Sequence, residues 1–236
     1  MLADLAATTP LVTMDSDSPV AKRLCFVGTD NYHAGRLLAD RVRSALPEGG
    51  AVVISLGTPL KENTRLRRQG FIDGMLNREY DPDRPADPFD QPISGRGYAI
   101  VETLADSGDA QRAVELASKA LRDHPNLRCF VGLLGYSTPA VLKALESAGK
   151  LGSVKVVGFD ADPQTLAGIE AGHVDATILQ DQHGFGFQSV RILAENARGT
   201  SAGLPMFQRR TLPCEVVHAG NLGTVKAQLD SSSISR

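Results

Sequence analysis

The length and composition of the chain favour a folded protein and exclude several kinds of partner. With 236 residues and 42% hydrophobic composition, the chain can bury one large core or two smaller ones. A formal net charge of −2 offers no broad basic surface, so neither nucleic acid nor an anionic membrane is predicted as a partner. No apolar run approaches the ~20 residues of a membrane span, and residues 1–15 lack the pattern of a signal peptide.

Strand-like apolar runs alternate with helix-like segments along most of the chain. The predicted strands lie at 10–15, 23–28, 51–57, 98–104, 128–135, 154–160, 175–181 and 214–219. The predicted helices lie at 34–46, 64–76, 110–123, 139–149, 163–172 and 186–198. This alternation predicts an α/β fold with right-handed crossovers and a mostly parallel sheet flanked by helices. Ligands of such folds bind beyond the carboxyl ends of the strands, so functional residues are expected there.

Two segments depart from the alternation, and neither suggests a metal or a cofactor. Residues 80–97 are rich in proline and aspartate and are predicted to form a long surface loop, and the residues from Gly220 onward are polar. The aspartates of the loop do not follow the calcium-binding pattern. The 5 histidines show no spacing typical of a metal site, and the 3 cysteines lie far apart in or beside apolar runs. We therefore predict no metal and no cofactor.

The same polar motif follows two of the predicted strands. In MDSDSP (14–19) and FDADP (159–163), an Asp-x-Asp pair precedes a proline. Asp162, directly before the proline, fits a helix N-cap followed by proline at the first helical position. Asp15 and Asp160 have no such capping role. We therefore expect their carboxylates to face the ligand at the edge of the sheet.

Several motifs in a fixed order resemble the type I periplasmic sugar-binding proteins of the ribose-binding class, which feed ABC transporters. The resemblance is carried by VTMDSDSPVAKRLCFVGTDNYHAGRLLAD, RLRRQGFIDGM and VVGFDADPQTLAGIEAGHVDATILQDQHGFG, and it covers residues 5–218. It implies a periplasmic-binding-protein type I fold with two Rossmann-like lobes. It also implies binding of a monosaccharide or related polyol rather than catalysis, a periplasmic or lipid-anchored extracytoplasmic location, and an ABC transporter permease as partner of the full-length protein.

The resemblance implies a set of ligand-binding residues at positions that match the family motifs. These are Asp15, Thr29, Arg67, Ser137, Asp160 and Gln180. Carboxylates accept hydrogen bonds from sugar hydroxyls, whereas a guanidinium or an amide can donate to them. Thr29 stands where the family often has serine. Ser137 stands where relatives usually carry Asn or Asp, and this leaves the identity of the sugar open.

The resemblance also implies that one lobe is incomplete. Residues 30–180 and 210–219 match a nearly complete C-terminal lobe, residues 1–29 and 181–209 match parts of the N-terminal lobe, and residues 220–236 form a flexible tail. Relatives carry a signal peptide and further βα units before the segment that matches 10–19. Here only MLADLAATT precedes it, which resembles the end of a helix. We therefore expect a truncated form, or an internal methionine at position 1, and a partly formed cleft.

Two other functions stay open. The sugar-sensing domain of a LacI-type repressor or of a receptor shares this fold and differs in what precedes it. A serine hydrolase is the other, because Ser137 follows the strand at 128–135 as in a nucleophile elbow, with Asp160 and His183 in a compatible order. However, Pro139 replaces the second glycine of that motif and no oxyanion-hole motif precedes it. No enzymatic activity is therefore predicted.

Overall fold

The computed structural model describes residues 2–200, 204–205 and 207–234. This part of the chain contains eight helices and ten strands. The helices are α1 (Leu2–Thr8), α2 (Asn31–Ala45), α3 (Glu62–Leu76), α4 (Ala110–Asp123), α5 (Ser137–Ser147), α6 (Pro163–Glu170), α7 (Gln182–Ala197) and α8 (Leu222–Ile234). The strands are β1 (Val12–Met14), β2 (Cys25–Thr29), β3 (Gly50–Leu56), β4 (Ile93–Gly95), β5 (Tyr98–Ala105), β6 (Leu127–Gly132), β7 (Lys155–Phe159), β8 (Ala176–Gln180), β9 (Arg209–Leu212) and β10 (Cys214–His218).

The strands form two sheets of different size. The small sheet has the order β1-β2-β9, and its strands are all parallel. The large sheet has the order β10-β8-β7-β6-β3-β5-β4, with a parallel centre and one antiparallel strand at each edge. Helices cover both faces of the large sheet, as expected for parallel strands that are buried on both sides. The predicted α/β fold is confirmed.

Three short connections in the described ranges join the small sheet to the larger part of the molecule. They lie at Asp30 between β2 and α2, at Asp181 between β8 and α7, and at Pro213 between β9 and β10. Both aspartates cap the helix that follows: Asp30 accepts from the backbone N–H of His33 at 2.9 Å, and Asp181 accepts from that of Gly184 at 2.7 Å. In each connection, the carboxyl end of one strand therefore lies directly before the first residue of the next helix or strand.

Two glycines allow α2 and α3 to pack with their backbones in contact. A Cβ atom on Gly35 would lie 2.1 Å from the carbonyl oxygen of Arg67, and one on Gly70 would lie 2.0 Å from that of Tyr32. Larger residues at either position would push the helices apart. This close approach fixes the part of α3 that carries Arg67.

The structure corrects three sequence predictions at the ends and edges of elements. Residues 209–212 form β9 of the small sheet, so residues 210–212 do not join the large sheet as the sequence boundary implied. Residues 222–234 form α8 rather than a flexible tail, because Leu222 and Val225 are buried against the large sheet. The loop predicted at 80–97 contains the short edge strand β4. None of the helices in the described ranges has the length and hydrophobicity to cross a membrane.

Candidate ligand-binding site

Polar side chains gather where the small sheet meets the carboxyl edge of the large sheet. Gln180, the last residue of β8, lies at the centre of this group and is buried. Its Oε1 accepts hydrogen bonds from the Thr29 hydroxyl at 3.0 Å and from Arg67 Nη2 at 2.9 Å. Its Nε2 donates to Asp160 Oδ1 at 2.8 Å. One amide thus links residues from β2, α3 and the end of β7.

Arg67 extends from α3 into this group and is only 1% exposed. Besides its bond to Gln180, its Nε donates to Asn31 Oδ1 at 2.8 Å and its Nη1 donates to the carbonyl of Leu133 at 2.9 Å. The guanidinium lies over the ring of Phe159, with Cζ 3.7 Å from the ring centroid. Burial lowers the pKa of Arg67 to about 10, and the charges of nearby carboxylates oppose this shift. The group therefore carries its positive charge at neutral pH.

Asp15 and Asp160 share one backbone conformation. Their φ angles are 64° and 63°, in the left-handed region that few non-glycine residues adopt. Each directly follows a strand, and each donates its N–H to the neighbouring strand: Asp15 to Val27 at 3.0 Å and Asp160 to Ile178 at 2.7 Å. The two sheets therefore present their aspartates with the same local geometry.

The carboxylates of these aspartates differ in exposure. The side chain of Asp15 is 50% exposed, with Oδ1 4.0 Å from Arg67 Nη2. Asp160 is more buried, and burial raises its pKa, whereas its hydrogen bond from Gln180 and the charge of Arg67 act in the opposite direction. Asp160 and Gln180 line a cavity of about 1050 Å³. Both aspartates keep carboxylate oxygens available to accept hydrogen bonds from a ligand.

Ser137 lies elsewhere, which corrects the expected ligand contact. It is the first residue of α5, it is fully buried, and its hydroxyl has no hydrogen-bond partner among the described residues. Its Cβ faces the sheet, 3.0 Å from the position a Cβ on Gly132 would occupy. The start of α5 turns the side chain away from the cavity. For the same reason Ser137 does not have the exposed hydroxyl that a hydrolytic nucleophile needs.

Sequence reasoning missed three residues in or near the site. Asn31 follows β2 and accepts the bond from Arg67, while its Nδ2 is buried without a partner among the described residues. Gly135 and Tyr136 line the cavity together with Asp160. Asn31 could have been found as a polar residue just after a predicted strand. The only indication of Tyr136 in the sequence is its position next to Ser137.

Asp162 has the structural role that the sequence predicted, and Phe159 also has a structural role. Asp162 accepts a hydrogen bond from the backbone N–H of Gln164 at 2.8 Å, and Pro163 occupies the first turn of α6, so the predicted N-cap is confirmed. Phe159 is buried beneath Arg67 and belongs to the core. Within the described ranges, the structure contains no cluster of three or more His, Cys, Asp or Glu side chains suited to a metal ion.

Comparison with known proteins shows the family to which the chain belongs. The family model described as periplasmic binding protein domain matches residues 5–201. The D-ribose/D-allose-binding protein of Pseudomonas aeruginosa is 28% identical over 173 residues, which cover 72% of this chain and 49% of that protein. The ribose import binding protein RbsB of Salmonella typhimurium is 22% identical over 193 residues, which cover 82% of this chain and 59% of that protein. The chain thus spans about half the length of these curated relatives.

Solved structures agree with this assignment. The glucose-galactose binding protein GanP of Geobacillus stearothermophilus superposes with a TM-score of 0.81 and 25% identity, covering 94% of this chain and 72% of that one. An ABC transporter solute binding protein from Burkholderia graminis, in complex with D-arabinose, superposes with a TM-score of 0.76 and 29% identity, covering 89% of this chain and 67% of that one. The family and these relatives are binding proteins, not enzymes. The chain belongs to the periplasmic binding protein domain family and resembles its type I sugar-binding members.

Proposed function

We propose that this chain binds a monosaccharide at the junction of its two sheets, as the substrate-binding component of a carbohydrate ABC transporter. The observation that carries the proposal is the pairing of Asp15 and Asp160. One aspartate ends a strand of each sheet, both have the same unusual backbone conformation, and the buried Arg67 lies near both. Strained backbone of this kind is typical of functional sites.

The charges of the site favour a neutral, polyhydroxylated ligand. The guanidinium of Arg67 is already surrounded by Asn31, Leu133 and Gln180, so it offers little to an anionic ligand. The two carboxylates accept hydrogen bonds but cannot donate them. A ligand with several hydroxyl groups satisfies such acceptors, and hydrogen bonds to charged groups contribute about 1.5–3 kcal/mol each.

Binding at this junction couples the ligand to the relative position of the two sheets. A ligand that contacts Asp15 from the small sheet and Asp160 from the large sheet favours the arrangement in which both are close. The ligand-bound arrangement is then the form that a transporter permease recognises. We propose a location outside the cytoplasm, because the curated relatives include a D-allose-binding periplasmic protein of Escherichia coli.

Isothermal titration calorimetry with D-ribose, D-allose and D-arabinose tests the proposal. We expect saturable binding of at least one of these sugars, with a Kd between about 1 µM and 1 mM. Replacing Asp160 with Asn should weaken that binding by about 10-fold or more, because a charged acceptor becomes a neutral one.

The matched control is Asp83→Asn, which makes the same chemical change on the exposed loop between α3 and β4. This variant should keep the affinity of the unmodified chain. Absence of saturable binding of all three sugars up to about 10 mM would contradict the proposed function. Equal effects of the two substitutions would contradict the assignment of Asp160.

A further inference from the structure

We propose that the cavity beside Asp160 holds a second sugar unit, so that the preferred ligand is a disaccharide whose outer unit contacts the C-terminal helix α8. This inference rests on the sugar-binding function proposed above and extends it from one sugar ring to two. It also gives a binding role to Gln228 and Leu229, which lie beyond residues 5–201 that the family model matches.

The cavity extends beyond the residues that hold the first sugar unit. Asp160 and Gln180 line it. The other residues assigned to the junction of the sheets, Asp15, Thr29 and Arg67, do not. The cavity volume of about 1050 Å³ is at the upper limit of the roughly 300–1,000 Å³ that is typical of clefts for drug-sized ligands. A monosaccharide is smaller than such ligands, so one sugar ring at the junction fills only a small part of this cavity.

The path of the chain brings α8 to the far side of the cavity. β10 is antiparallel to β8, so it begins at the carboxyl edge of the sheet, where Cys214 pairs with Gln180, and ends at the opposite edge. α8 follows at that opposite edge and runs back along the sheet, with Leu222, Val225 and Leu229 packed against the core. The stretch from Leu222 to Leu229 advances the helix by about 10 Å, which returns it to the carboxyl edge. There Leu229 lines the cavity.

Polar contacts hold α8 in this position. Asn221, directly before the helix, accepts a hydrogen bond from the backbone N–H of His218 at 2.8 Å. Farther along the helix, Lys226 Nζ lies 2.7 Å from Glu170 Oε2 of α6. Together with the buried leucine and valine of its first turns, these contacts fix α8 against β10 and α6. The wall that α8 gives to the cavity is therefore in place before a ligand binds.

A single sugar ring does not reach from Asp160 to the far side of the cavity. Asp160 directly follows β7, and Cys214 begins β10, which is separated from β7 by β8. Because neighbouring strands lie about 4.8 Å apart, the two strands are about 10 Å apart at this edge. A ligand that contacts both Asp160 and the side formed by β10 and α8 must therefore be longer than one ring.

The far part of the cavity, which we call the outer compartment, suits a second sugar unit. Its lining includes Leu179, His183, Pro213, Glu215, Gln228 and Leu229. Apolar side chains thus alternate with groups that donate or accept hydrogen bonds. A sugar unit offers both C–H groups and hydroxyl groups to such a lining. A purely apolar substituent would instead cover the polar groups without giving them partners, which is unfavourable.

The carboxylates around the cavity disfavour a charged ligand. Asp160, Asp162, Asp181 and Glu215 all line it, so an anion would be repelled. Asp162 and Asp181 accept hydrogen bonds from backbone N–H groups at the starts of α6 and α7, at 2.8 and 2.7 Å. The dipoles of these helices offset the two charges without a bound cation. A neutral second unit therefore fits the outer compartment best.

Calorimetry with paired monosaccharides and disaccharides tests the second unit. The monosaccharides are D-glucose, D-galactose, D-xylose and L-arabinose, and the disaccharides are maltose, cellobiose, lactose, melibiose, xylobiose and arabinobiose. We expect at least one disaccharide to bind about 10-fold more tightly than the monosaccharides of which it consists. Monosaccharide binding without any tighter disaccharide would overturn the second unit and leave the sugar-binding function standing. Absence of binding by every sugar up to about 10 mM would contradict both.

A bulky side chain in the outer compartment tests its location. Gln228→Trp should weaken binding of the tightest disaccharide by about 10-fold and leave its monosaccharides within about twofold of their original affinity. The matched control is Ala227→Trp, at an exposed neighbouring position that does not line the cavity, and it should change neither affinity. If Gln228→Trp leaves disaccharide binding unchanged, or weakens both kinds of sugar equally, the outer compartment does not hold a second unit.

Protection of an introduced thiol gives a second measurement that does not depend on a change in affinity. In a Cys214→Ser background, Gln228→Cys and Ala227→Cys each add a thiol on α8, while Cys25 and Cys129 are buried. A saturating disaccharide should slow the alkylation of the Gln228→Cys variant by iodoacetamide, because the outer unit covers the thiol. Saturating monosaccharide should not slow it, and neither sugar should affect the Ala227→Cys variant. Equal protection by both kinds of sugar, or none by the disaccharide, would overturn the contact with α8.

Discussion

The left-handed conformation of Asp15 and Asp160 lowers the free energy of unfolding by a measurable amount. A non-glycine residue held in this region costs on the order of 1–3 kcal/mol when the surroundings impose it, although Asp and Asn tolerate it better than other residues. Asp160 carries a second cost, because its carboxylate is largely buried and its pKa is raised. Both costs fall on a residue that we assign to ligand binding. We therefore expect Asp160 to reduce the stability of the protein without ligand.

We predict that Asp160→Asn stabilises the unliganded protein at neutral pH. The pKa of Asp160 in the folded protein lies above its ordinary value of 3.8. Between those two values the folded protein binds more protons than the unfolded chain, so this group's contribution to stability is lost as the pH rises through the folded-state pKa. Asparagine removes the charge, keeps an acceptor for Gln180, and suits a positive φ. Urea unfolding should show a gain in free energy at pH 7.5 that shrinks as the pH falls toward 4.

Asp83→Asn is again the matched control, since this exposed loop residue should give the same stability as the unmodified chain at both pH values. A lower stability of Asp160→Asn at pH 7.5 would show that its ion pairing with Arg67 outweighs the cost of burial. In that case the Asp160 carboxylate would not lower the stability of the unliganded protein.

At the scale of elements, apolar patterning predicted most strands and helices but missed those whose burial depends on distant partners. The apolar runs at 51–57 and 154–160 predicted β3 and β7, which are buried on both faces. β9 has the sequence Arg-Arg-Thr-Leu, and no local pattern reveals that it pairs with β2. The polar serines of α8 suggested a tail, whereas tertiary packing of its first turn holds it as a helix.

The candidate site was predictable only in part, for a similar reason. Asp15 and Asp160 end predicted strands, and Gln180 is the residue before the end of a third, so the rule that ligands bind at carboxyl ends places all three at the edge. The contacts of Arg67 with Asn31 depend on how closely α2 and α3 pack. The direction of a side chain at the first residue of a helix depends on where the helix begins. The sequence does not define the first residue of α5 closely enough to predict which way the Ser137 side chain faces.

The loop between α3 and β4 is held by one buried arginine. Arg68 donates from Nη1 to the carbonyl of Asp87 at 2.8 Å, from Nη2 to that of Pro88 at 2.6 Å, and from Nε to the Thr103 hydroxyl at 3.1 Å. Its guanidinium also lies over the ring of Phe89, with Cζ 4.1 Å from the centroid. Burial lowers the pKa of Arg68 to about 10, so it remains charged at neutral pH. A single side chain thus supplies donors to consecutive backbone carbonyls of a proline-rich loop.

We predict that Arg68→Met releases this loop and destabilises the protein. Methionine fills similar space but leaves the carbonyls of Asp87 and Pro88 without their donor, and each lost partner costs about 1–3 kcal/mol. Urea unfolding should show a loss of about 2–4 kcal/mol. Limited trypsin digestion should cut faster at Arg78, before the loop, than in the unmodified chain.

The matched control is Arg65→Met on an exposed position of the same helix, which should change neither stability nor digestion. Unchanged digestion of Arg68→Met, despite a loss of stability, would show that other contacts hold the loop. Those contacts include the ion pair of Arg78 with Asp87 at 2.8 Å.

At the scale of the whole molecule, an ion-pair group joins the small sheet to the start of α3. Arg209 Nη1 of β9 lies 3.2 Å from Asp17 Oδ2 and 3.3 Å from Glu62 Oε1, the latter at the start of α3. Asp17 also accepts from Arg23 Nε at 2.6 Å. The small sheet therefore contacts the larger part of the molecule both through the ligand site and through Glu62. Breaking the second contact alone tests how far the two parts are free to move.

We predict that Glu62→Gln shifts the molecule toward arrangements in which the two parts lie farther apart. The pair is partly exposed, so its loss should cost about 0.5–1 kcal/mol and change the population ratio about two- to fivefold. Spin labels at Val20→Cys and Leu60→Cys, positions 88% and 92% exposed on the two sides of the contact, report the distance in a Cys214→Ser background. We expect a larger long-distance component in Glu62→Gln, and added salt at about 1 M should produce the same change in the unmodified protein but not in the variant.

Glu146→Gln on the exposed face of α5 serves as the control. If Glu62→Gln leaves the distribution unchanged, the contact through Glu62 does not restrain the two parts, and the three connections with the ligand-site contacts hold them together.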